Sequence, residues 1–273
     1  MSSDGPVLAN PAILSNDPAL RSELMLVVER RKTELESMRI ESLLRLLPKG
    51  RQTVLDLGAR DGYISQFLVN YFDEVTALDL VQPEIRMERV TGVQGDARDL
   101  QYPDNSFDTV VCAEVLEHIL PAFLPRVCSE ISRVAKYDVV IGTPYRQDTR
   151  FGRVTCQNCG AVNPPWGHIN KMDEKKILSL FPSLIPVAKE FVGTHKERTN
   201  ALSALMMNLA GNPWGSIGPG QTCSSCCREL LPASSISIPE KICANVALRL
   251  RKIQERLIAP APIWIHIVFM KTN

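Results

Sequence analysis

Apolar positions along this chain follow two spacings, one typical of strands and one typical of helices. Short apolar runs predict strands, and longer stretches with an apolar residue every three or four positions predict helices between them. The predicted strands are Thr53–Leu57, Val75–Leu80, Arg89–Gln94, Thr109–Cys112, Tyr137–Ile141, Ile185–Val192 and Ile263–Met270. Strands that alternate with helical crossovers predict an α/β fold with a doubly wound, mostly parallel sheet of seven strands.

An amphipathic helix or helix pair is predicted ahead of the first strand, over Ala19–Leu47, with Pro48 and Gly50 ending it. The charged run Glu29–Lys32 is interpreted as its solvated face. The other predicted helices are Tyr63–Tyr71, Leu116–Val134, Asp173–Phe181, Asn200–Ala210 and Lys241–Leu257.

Composition and charge narrow the range of functions. The chain has 273 residues, 45% hydrophobic and 22% charged, which is typical of a globular protein. Its net charge of +1 argues against a strong overall attraction to nucleic acid or to an anionic membrane. The longest apolar run, Ile258–Met270, contains two prolines and His266 and is too short to cross a bilayer, and the first residues lack a secretion signal. A cytoplasmic protein is therefore expected.

A glycine-containing loop follows the first predicted strand directly. The segment Gly58–Gly62 joins that strand to a helix, so backbone amides at the carboxyl end of the strand can approach a ligand. The loop lacks the further glycines of a dinucleotide-binding motif and the lysine of a phosphate-binding loop. It therefore indicates a nucleotide-type turn of another kind.

Acidic residues end the next two strands of the predicted sheet. Asp79 lies twenty-one residues beyond Gly58, at a position from which a carboxylate can accept hydrogen bonds from both ribose hydroxyls. Asp96 follows the third strand and can accept a hydrogen bond from the exocyclic amine of adenine. Either residue alone is explained as a helix cap or loop residue, but together at successive strand ends they favour an adenosyl pocket.

Three segments and the last strand give the chain a family resemblance. The segments are VLDLGARDGYIS from Val54, VTALDL from Val75 and QGDARDLQYPDNSFDTVVCAEVLEHI from Gln94. Residues 51–145 resemble the class I S-adenosylmethionine-dependent methyltransferases, which have a Rossmann-like fold. Arg60 departs from the pattern, because many members have glycine there.

The resemblance implies a role for each matching residue. Asp56 and Gly58 would border the methionine end of S-adenosylmethionine, Asp79 would hold the ribose, Asp96 would face the adenine amine, and Glu114 would close the site. The candidate cofactor contacts are Asp56, Gly58, Ala59, Gly62, Asp79, Leu80, Asp96, Ala97 and Glu114.

Histidine is the natural general base for an acceptor hydroxyl or amine, and the chain has four. His168 and His118 are the candidate catalytic residues. His168 follows a Pro-Pro-Trp-Gly turn, and His118 follows the fourth strand. Each also has a structural interpretation, as a ring bonded to local backbone. His195 is left undecided, and His266 is interpreted as structural.

The ends of the fourth and fifth strands carry CAEVLEHI and GTPYRQD, and neither matches the [DN]-P-P-[YF] motif of enzymes that methylate base amino groups. Together with the charge balance, this favours a small-molecule or glycan-like acceptor over nucleic acid. An RNA or protein methyltransferase stays open as an alternative, supported by the basic residues Arg146, Arg150, Arg153 and Lys171. A catalytically inactive cofactor-binding scaffold is the other alternative.

Eight cysteines without a secretion signal favour reduced thiols or metal ligands over disulfides. Two Cys-x2-Cys pairs, Cys156 with Cys159 and Cys223 with Cys226, have the local spacing of a four-thiolate structural zinc site. Two alternatives stay open: Cys227 replaces Cys226 as a ligand, or His168 completes a Cys3His set. The isolated cysteines Cys112, Cys128 and Cys243 are interpreted as core residues.

The first cysteine pair lies in an insertion after the fifth strand, where it can cover the acceptor side of the site as a lid. The predicted organisation is an N-terminal arm and helical segment (1–50), a cofactor-binding core (51–145), a zinc-stapled lid insertion (146–172) and a C-terminal part of the sheet domain with the second pair (173–273).

Overall fold

The computed structural model describes residues 33–218, 220–233 and 235–272. Of the helix or helix pair predicted over Ala19–Leu47, residues 19–32, which include the charged run, lie outside the described residues. Helix α1 spans Glu34–Arg45 and begins at Thr33, whose side chain accepts a hydrogen bond from the Glu36 amide. The elements of the core follow in the order β1 (Thr53–Leu57), α2 (Ser65–Leu68), β2 (Glu74–Asp79), β3 (Val90–Gln94), β4 (Phe107–Ala113), α3 (Leu124–Val134) and β5 (Ala135–Pro144).

The remaining elements form the lid region and the far side of the sheet. They are β6 (Val154–Thr155), β7 (Val162–Asn163), a short 3-10 turn (Pro165–Gly167), α4 (Glu174–Leu180), β8 (Leu184–His195), α5 (Ala201–Leu209), α6 (Ile238–Leu257) and β9 (Ala261–Lys271). Strands β6 and β7 pair only with each other.

The main sheet has seven strands in the order β3-β2-β1-β4-β5-β9-β8. Strands β1 to β5 pair in parallel, and β9 runs antiparallel to both β5 and β8. The predicted doubly wound, mostly parallel sheet is thus confirmed. Because β1 and β4 are neighbours although β2 and β3 lie between them in sequence, the strand order reverses at this point and opens a crevice above their carboxyl ends.

Strand residues alternate between two hydrophobic clusters, one on each face of the sheet. Val54 packs beside Leu43 of α1 and Leu68 of α2, whereas the next residue, Leu55, packs beside Ile131 of α3. Cys112 and Cys128 are fully buried in the second of these clusters, as the sequence predicts, but Cys243 on α6 is only half-buried.

Two predicted helices are shorter than the apolar pattern indicates. The helix predicted over Leu116–Val134 begins only at Leu124, because Pro121 disfavours helical backbone at the residue before it. The helix predicted over Tyr63–Tyr71 has regular α geometry only at Ser65–Leu68, with turns on both sides. No helix in the described part of the chain is long and apolar enough to cross a membrane.

Candidate active site and metal centre

The crevice above β1 and β4 contains a cavity of about 820 Å³, which we call the central cavity. This volume lies in the usual range for small-molecule sites. Its walls come from α1, the loop after β1, the end of β4, the lid insertion and the start of β9. Lining residues include Glu36, Arg39, Gly58, Ala59, Arg60, Glu114, His118, Tyr145, Gln147, Trp166, His168, Ser216 and Trp264.

The loop after β1 forms the floor of the central cavity. Gly58 has φ +81°, and a Cβ at this position would lie 2.3 Å from Cγ2 of Val115. Only glycine combines this left-handed backbone with so close an approach. Gly58 and Ala59 donate their amides to the Leu78 carbonyl, which ties the loop to the end of β2.

Asp56 lies beneath this loop and does not line the central cavity. It is almost fully buried, and its Oδ2 accepts a hydrogen bond of 2.6 Å from the Ser65 hydroxyl. Burial raises the pKa of Asp56 to about 6. Through this hydrogen bond Asp56 anchors Ser65, the first residue of α2, behind the glycine loop.

Asp79 ends β2 beside the glycine loop. Its Oδ2 accepts the Arg60 amide at 2.8 Å, and no second hydrogen bond to this carboxylate is found within the described residues. Leu80 and Val81 follow with 64% and 75% of their surface exposed. A carboxylate with spare acceptor capacity next to exposed apolar side chains is chemically suited to a ribose and a base.

Asp96 faces Arg98 instead of the central cavity. Two guanidinium nitrogens of Arg98 contact the carboxylate, and these hydrogen bonds lower the pKa of Asp96 below its usual value. The pair is solvent-exposed, and exposed ion pairs contribute little free energy. The Asp96 carboxylate can therefore exchange this partner for a ligand, and half-buried Ala97 is the residue that follows it.

Glu114 directly follows β4 in the wall of the central cavity, with a left-handed φ of +60°. Its Oε2 accepts the Trp264 indole N–H at 3.3 Å, and its Oε1 is buried 3.9 Å from Nη1 of Arg39. Neither Oε1 nor Nη1 has a hydrogen-bond partner. Burial raises the pKa of Glu114 despite the nearby guanidinium.

Arg39 is a site residue that the sequence analysis missed. It is 7% exposed, and Glu36 on the same helix turn accepts two hydrogen bonds from its guanidinium. The apolar spacing of α1 predicts the helix, but it does not predict that one of its arginines faces inward over the strand ends. A buried cation beside Glu114 becomes visible only when α1 is placed against β9.

His118 and His168 meet at the lid side of the central cavity. Their rings are 4.6 Å apart in an edge-to-face arrangement, and Nδ1 of His168 lies 2.5 Å from Oε1 of Gln147. Because an amide oxygen only accepts, Nδ1 carries the proton and Nε2 of His168 is left with its lone pair. Burial lowers the pKa of His168 to about 3 and also lowers the pKa of His118, so both rings are neutral at pH 7.

Glu117 is a second residue that the sequence analysis missed. It is 1% exposed; its Oε2 accepts the Thr143 hydroxyl at 3.1 Å, and its Oε1 is buried without a partner. Burial raises its pKa well above the usual value, and the nearby carboxylate of Glu114 adds to the effect. The motif EVLEHI contains Glu117 beside His118, but the sequence does not show which of its acids is buried.

The lid insertion is tied to the sheet through Glu117 and its neighbours. The amides of Ile169 and Asn170 both donate to the Glu117 carbonyl, and the Asn170 side chain donates to the carbonyls of Leu116 and Ile119. These bonds hold His168, the residue before Ile169, against the end of β4. The lid is therefore anchored at the point where its histidine faces the cavity.

The two other histidines lie elsewhere. His195 lines the central cavity at the end of β8, and its Nδ1 accepts the Glu197 amide. His266 is fully buried in β9, where Nδ1 is 2.8 Å from the Ser42 hydroxyl of α1. Burial lowers the pKa of His266 to about 3, which fits its structural interpretation.

The four cysteines of the two Cys-x2-Cys pairs come together in space. Cys156, Cys159, Cys223 and Cys226 place all four sulfur atoms within 4.8 Å of one another. Two of these sulfur–sulfur distances are 3.7 Å, between Cys156 and Cys226, and 3.6 Å, between Cys159 and Cys223. A tetrahedral zinc site with Zn–S bonds of about 2.3 Å has sulfur separations of about 3.8 Å, so the four thiols fit this metal.

Neither alternative ligand belongs to this group of four. Cys227 is exposed and has a left-handed φ of +58°, and His168 groups with Glu117 and His118 at the central cavity.

Hydrogen-bond donors surround the sulfur atoms of the four cysteines. Asn163 and the Ser225 amide donate to Cys223, and Asn158 donates to Cys226. Such donors stabilise thiolate ligands.

Comparisons with known proteins match the part of the chain that contains the parallel strands of the sheet. Residues 55–141 match the family model described as "Methyltransferase domain". The ubiquinone biosynthesis O-methyltransferase of Albidiferax ferrireducens is 28% identical over 110 residues, which cover 36% of this chain and 44% of that protein. The enzyme of the same name from Xanthomonas axonopodis pv. citri is 35% identical over 98 residues, covering 32% and 41%. The match therefore spans less than half the length of each relative.

Solved structures resemble the chain over most of its length. An S-adenosylmethionine-dependent methyltransferase from Archaeoglobus fulgidus aligns with a TM-score of 0.50 at 17% identity, covering 91% of this chain and 99% of that one. The N-methyltransferase NodS of Bradyrhizobium japonicum WM9 aligns with a TM-score of 0.50 at 15% identity, covering 89% and 99%. At such identities the likeness shows the fold alone. The chain thus has a Rossmann-like methyltransferase fold, and its residues 55–141 match the methyltransferase domain family.

Proposed function

We propose that this protein is an S-adenosylmethionine-dependent methyltransferase that acts on a small-molecule or glycan-like acceptor. The observation that carries the proposal is the central cavity, which is lined by the glycine loop, Glu114 and two neutral histidines. The sequence match at residues 55–141 and the names of the relatives support the same class of reaction.

Side chains in the central cavity and beside the adjoining glycine loop suit each part of this cofactor. Asp79 has the acceptor capacity for ribose hydroxyls, and the exposed side chains of Leu80 and Val81 suit an adenine ring. Arg39 and Glu114 leave one buried donor and one buried acceptor without partners. An amino acid tail carries a carboxylate and an ammonium group, which are the complementary partners.

When bound, S-adenosylmethionine supplies a methyl group on a sulfonium sulfur, which an oxygen or nitrogen of the acceptor attacks. His168 presents the lone pair of Nε2 to that atom, because Gln147 holds the proton on Nδ1. Since its pKa is only about 3, the ring takes the proton as the methyl group is transferred, when an acceptor oxygen becomes strongly acidic. His118, in contact with the same ring, is the second candidate base. Trp166 and Trp264 close the cavity walls and limit the access of water to the reacting atoms.

In the same proposal, the four cysteines hold one structural zinc ion. The metal would join the lid insertion to the segment around Cys223, since each contributes two thiolates. Both segments also reach the central cavity, through Trp166 and His168 on one side and Ser216 and Gly218 on the other. Zinc would therefore fix the walls of the acceptor site without touching the reacting atoms.

The test is methyl transfer from labelled S-adenosylmethionine into a fractionated extract of the source organism. We expect the label in the small-molecule or glycan fraction, and we expect it to be lost when His168→Gln replaces the wild-type protein. Label in the RNA or protein fraction would instead support the alternative acceptor class. Bound cofactor with no labelled product in any fraction would identify an inactive scaffold.

A further inference from the structure

A second cavity of about 660 Å³ adjoins the central cavity. The two share Gln147 and Asp148 as lining residues, and Gln147 is the partner of His168. We call it the cationic cavity, because its walls contain Arg146, Arg150, Lys171 and Arg198 but only two carboxylates, Asp148 and Asp173. The whole chain has a net charge of only +1, so this surplus is a local feature.

One cation and one carboxylate neutralise each other. The Arg150 guanidinium donates two hydrogen bonds of 2.9 Å to the two oxygens of Asp148, and the amides of Arg150 and Thr199 donate two more at 3.2 Å and 3.0 Å. These contacts lower the pKa of Asp148 although it is half-buried. The pair forms a fixed wall of the cavity and leaves Arg150 little capacity for a ligand.

The three other cations keep most of their capacity to bind an anionic ligand. Arg146 lies 3.9 Å from Asp173, beyond hydrogen-bond distance, and Asp173 is already occupied in capping α4 through the Lys176 amide. Among the described residues, neither Lys171 nor the Arg198 side chain has an ion pair or side-chain hydrogen bond. Four cations against two carboxylates leave this concave site with a net charge of +2, which points to an acidic ligand.

We propose that the cationic cavity binds an acidic group, phosphate or carboxylate, carried by the methyl acceptor. This inference rests on the proposed function and narrows its acceptor to an anionic molecule. Gln147 lies between the two cavities, so an acceptor can place its nucleophilic atom near His168 and its acidic group against Lys171 and Arg198. The guanidinium fork of arginine suits both phosphate and carboxylate oxygens.

The shape of the site favours a compact anion over a nucleic-acid backbone. Its cations converge on one cavity beside the lid, whereas backbone binding needs positive charge spread along a groove. The sequence-based alternative of an RNA or protein methyltransferase was supported by Arg146, Arg150, Arg153 and Lys171. In the structure all of these except Arg153 line the cationic cavity, and Arg150 is already paired with Asp148.

The test is calorimetric titration of the full-length, metal-containing chain with pyrophosphate as the probe, and separately with citrate. We expect saturable binding of at least one probe. Replacing both Lys171→Gln and Arg198→Gln should weaken that binding at least about tenfold, because two charge-assisted contacts are lost. The matched control is Lys241→Gln with Arg249→Gln, two exposed cations of α6 outside the cavity, which should leave affinity unchanged.

Preferential binding of pyrophosphate identifies the acidic group as a phosphate, and preferential binding of citrate identifies it as a carboxylate. Equal weakening by the control pair, or no binding of either probe, would overturn the inference. So would tighter binding of a short RNA that depends on the same two cations. A parallel titration with S-adenosylmethionine reports on the proposed function alone, so the two failures can be told apart.

Discussion

Replacing His168 with glutamine keeps a hydrogen-bonding side chain beside Gln147 but removes the ring nitrogen that accepts a proton. If His168 is the general base, turnover should fall about a hundred- to ten-thousand-fold. Affinity for S-adenosylmethionine and zinc content should stay as in the wild type, because the glycine loop and the four cysteines do not depend on this ring. If His168 were instead a zinc ligand, the variant would lose its metal. If the ring were purely structural, the variant would lose little activity.

The same substitution should change the pH dependence of stability. The pKa of His168 is about 3 in the folded chain, against 6.5 for an unperturbed histidine. Between these values the unfolded state binds the extra proton, so stability falls as pH drops below 6.5. At pH 5 the difference of about 1.5 pH units costs about 2 kcal/mol of folding free energy, and His168→Gln removes that cost.

The assay is urea unfolding of wild type and His168→Gln at pH 7.5 and pH 5. The difference between the two proteins is the quantity to follow, because buried Asp56 and Glu117 have raised pKa values and respond to acid in the opposite direction. Relative to the wild type, the variant should gain about 2 kcal/mol on acidification. Full turnover in the variant would refute the catalytic assignment and move it to His118, and an unchanged stability difference would refute the buried neutral ring.

Three further predictions concern the cofactor, the metal and the glycine loop. Asp79→Ala should stay folded and bind S-adenosylmethionine about ten- to a hundredfold more weakly by calorimetry, and unchanged affinity would exclude this carboxylate from the site. Purified wild type should contain one zinc ion per chain by elemental analysis; Cys159→Ser should lose it and lower the melting temperature, whereas Cys227→Ser should keep it. Gly58→Ala should lose about 2 kcal/mol or more in chemical denaturation, because the new methyl group meets Val115; Gly50→Ala shares the left-handed backbone but meets no atom within 4 Å, so an equal loss there would refute the steric argument.

The centre of the sheet was predictable because β1 and β4 are short apolar runs that are buried on both faces. Strand β1 has the predicted bounds, Thr53–Leu57, since its apolar run is bounded by polar residues on one side and Gly58 on the other. Residues 115–123 were not predictable by the same reasoning. Their apolar spacing continues that of α3, but Pro121 keeps them in turns that bring His118 to the cavity.

The residues of the candidate site also divide into those that the sequence predicts and those that only the folded chain reveals. Local spacing suffices to group each cysteine pair, but sixty-three residues separate the pairs, and only the folded chain shows that their sulfurs meet. It also shows that His168 belongs with His118 and Glu117. Arg39 and Glu117 carry no distinguishing pattern, because their role comes from burial next to Glu114, and burial of a charged residue is a property of tertiary packing.

Cofactor binding is the most direct test of the central claim. Purified full-length protein should be titrated with S-adenosylmethionine and with S-adenosylhomocysteine in a calorimeter, beside Asp79→Ala. The account predicts one saturable site per chain for both molecules, weakened about ten- to a hundredfold in the variant. A folded, zinc-containing chain that binds neither molecule would contradict it.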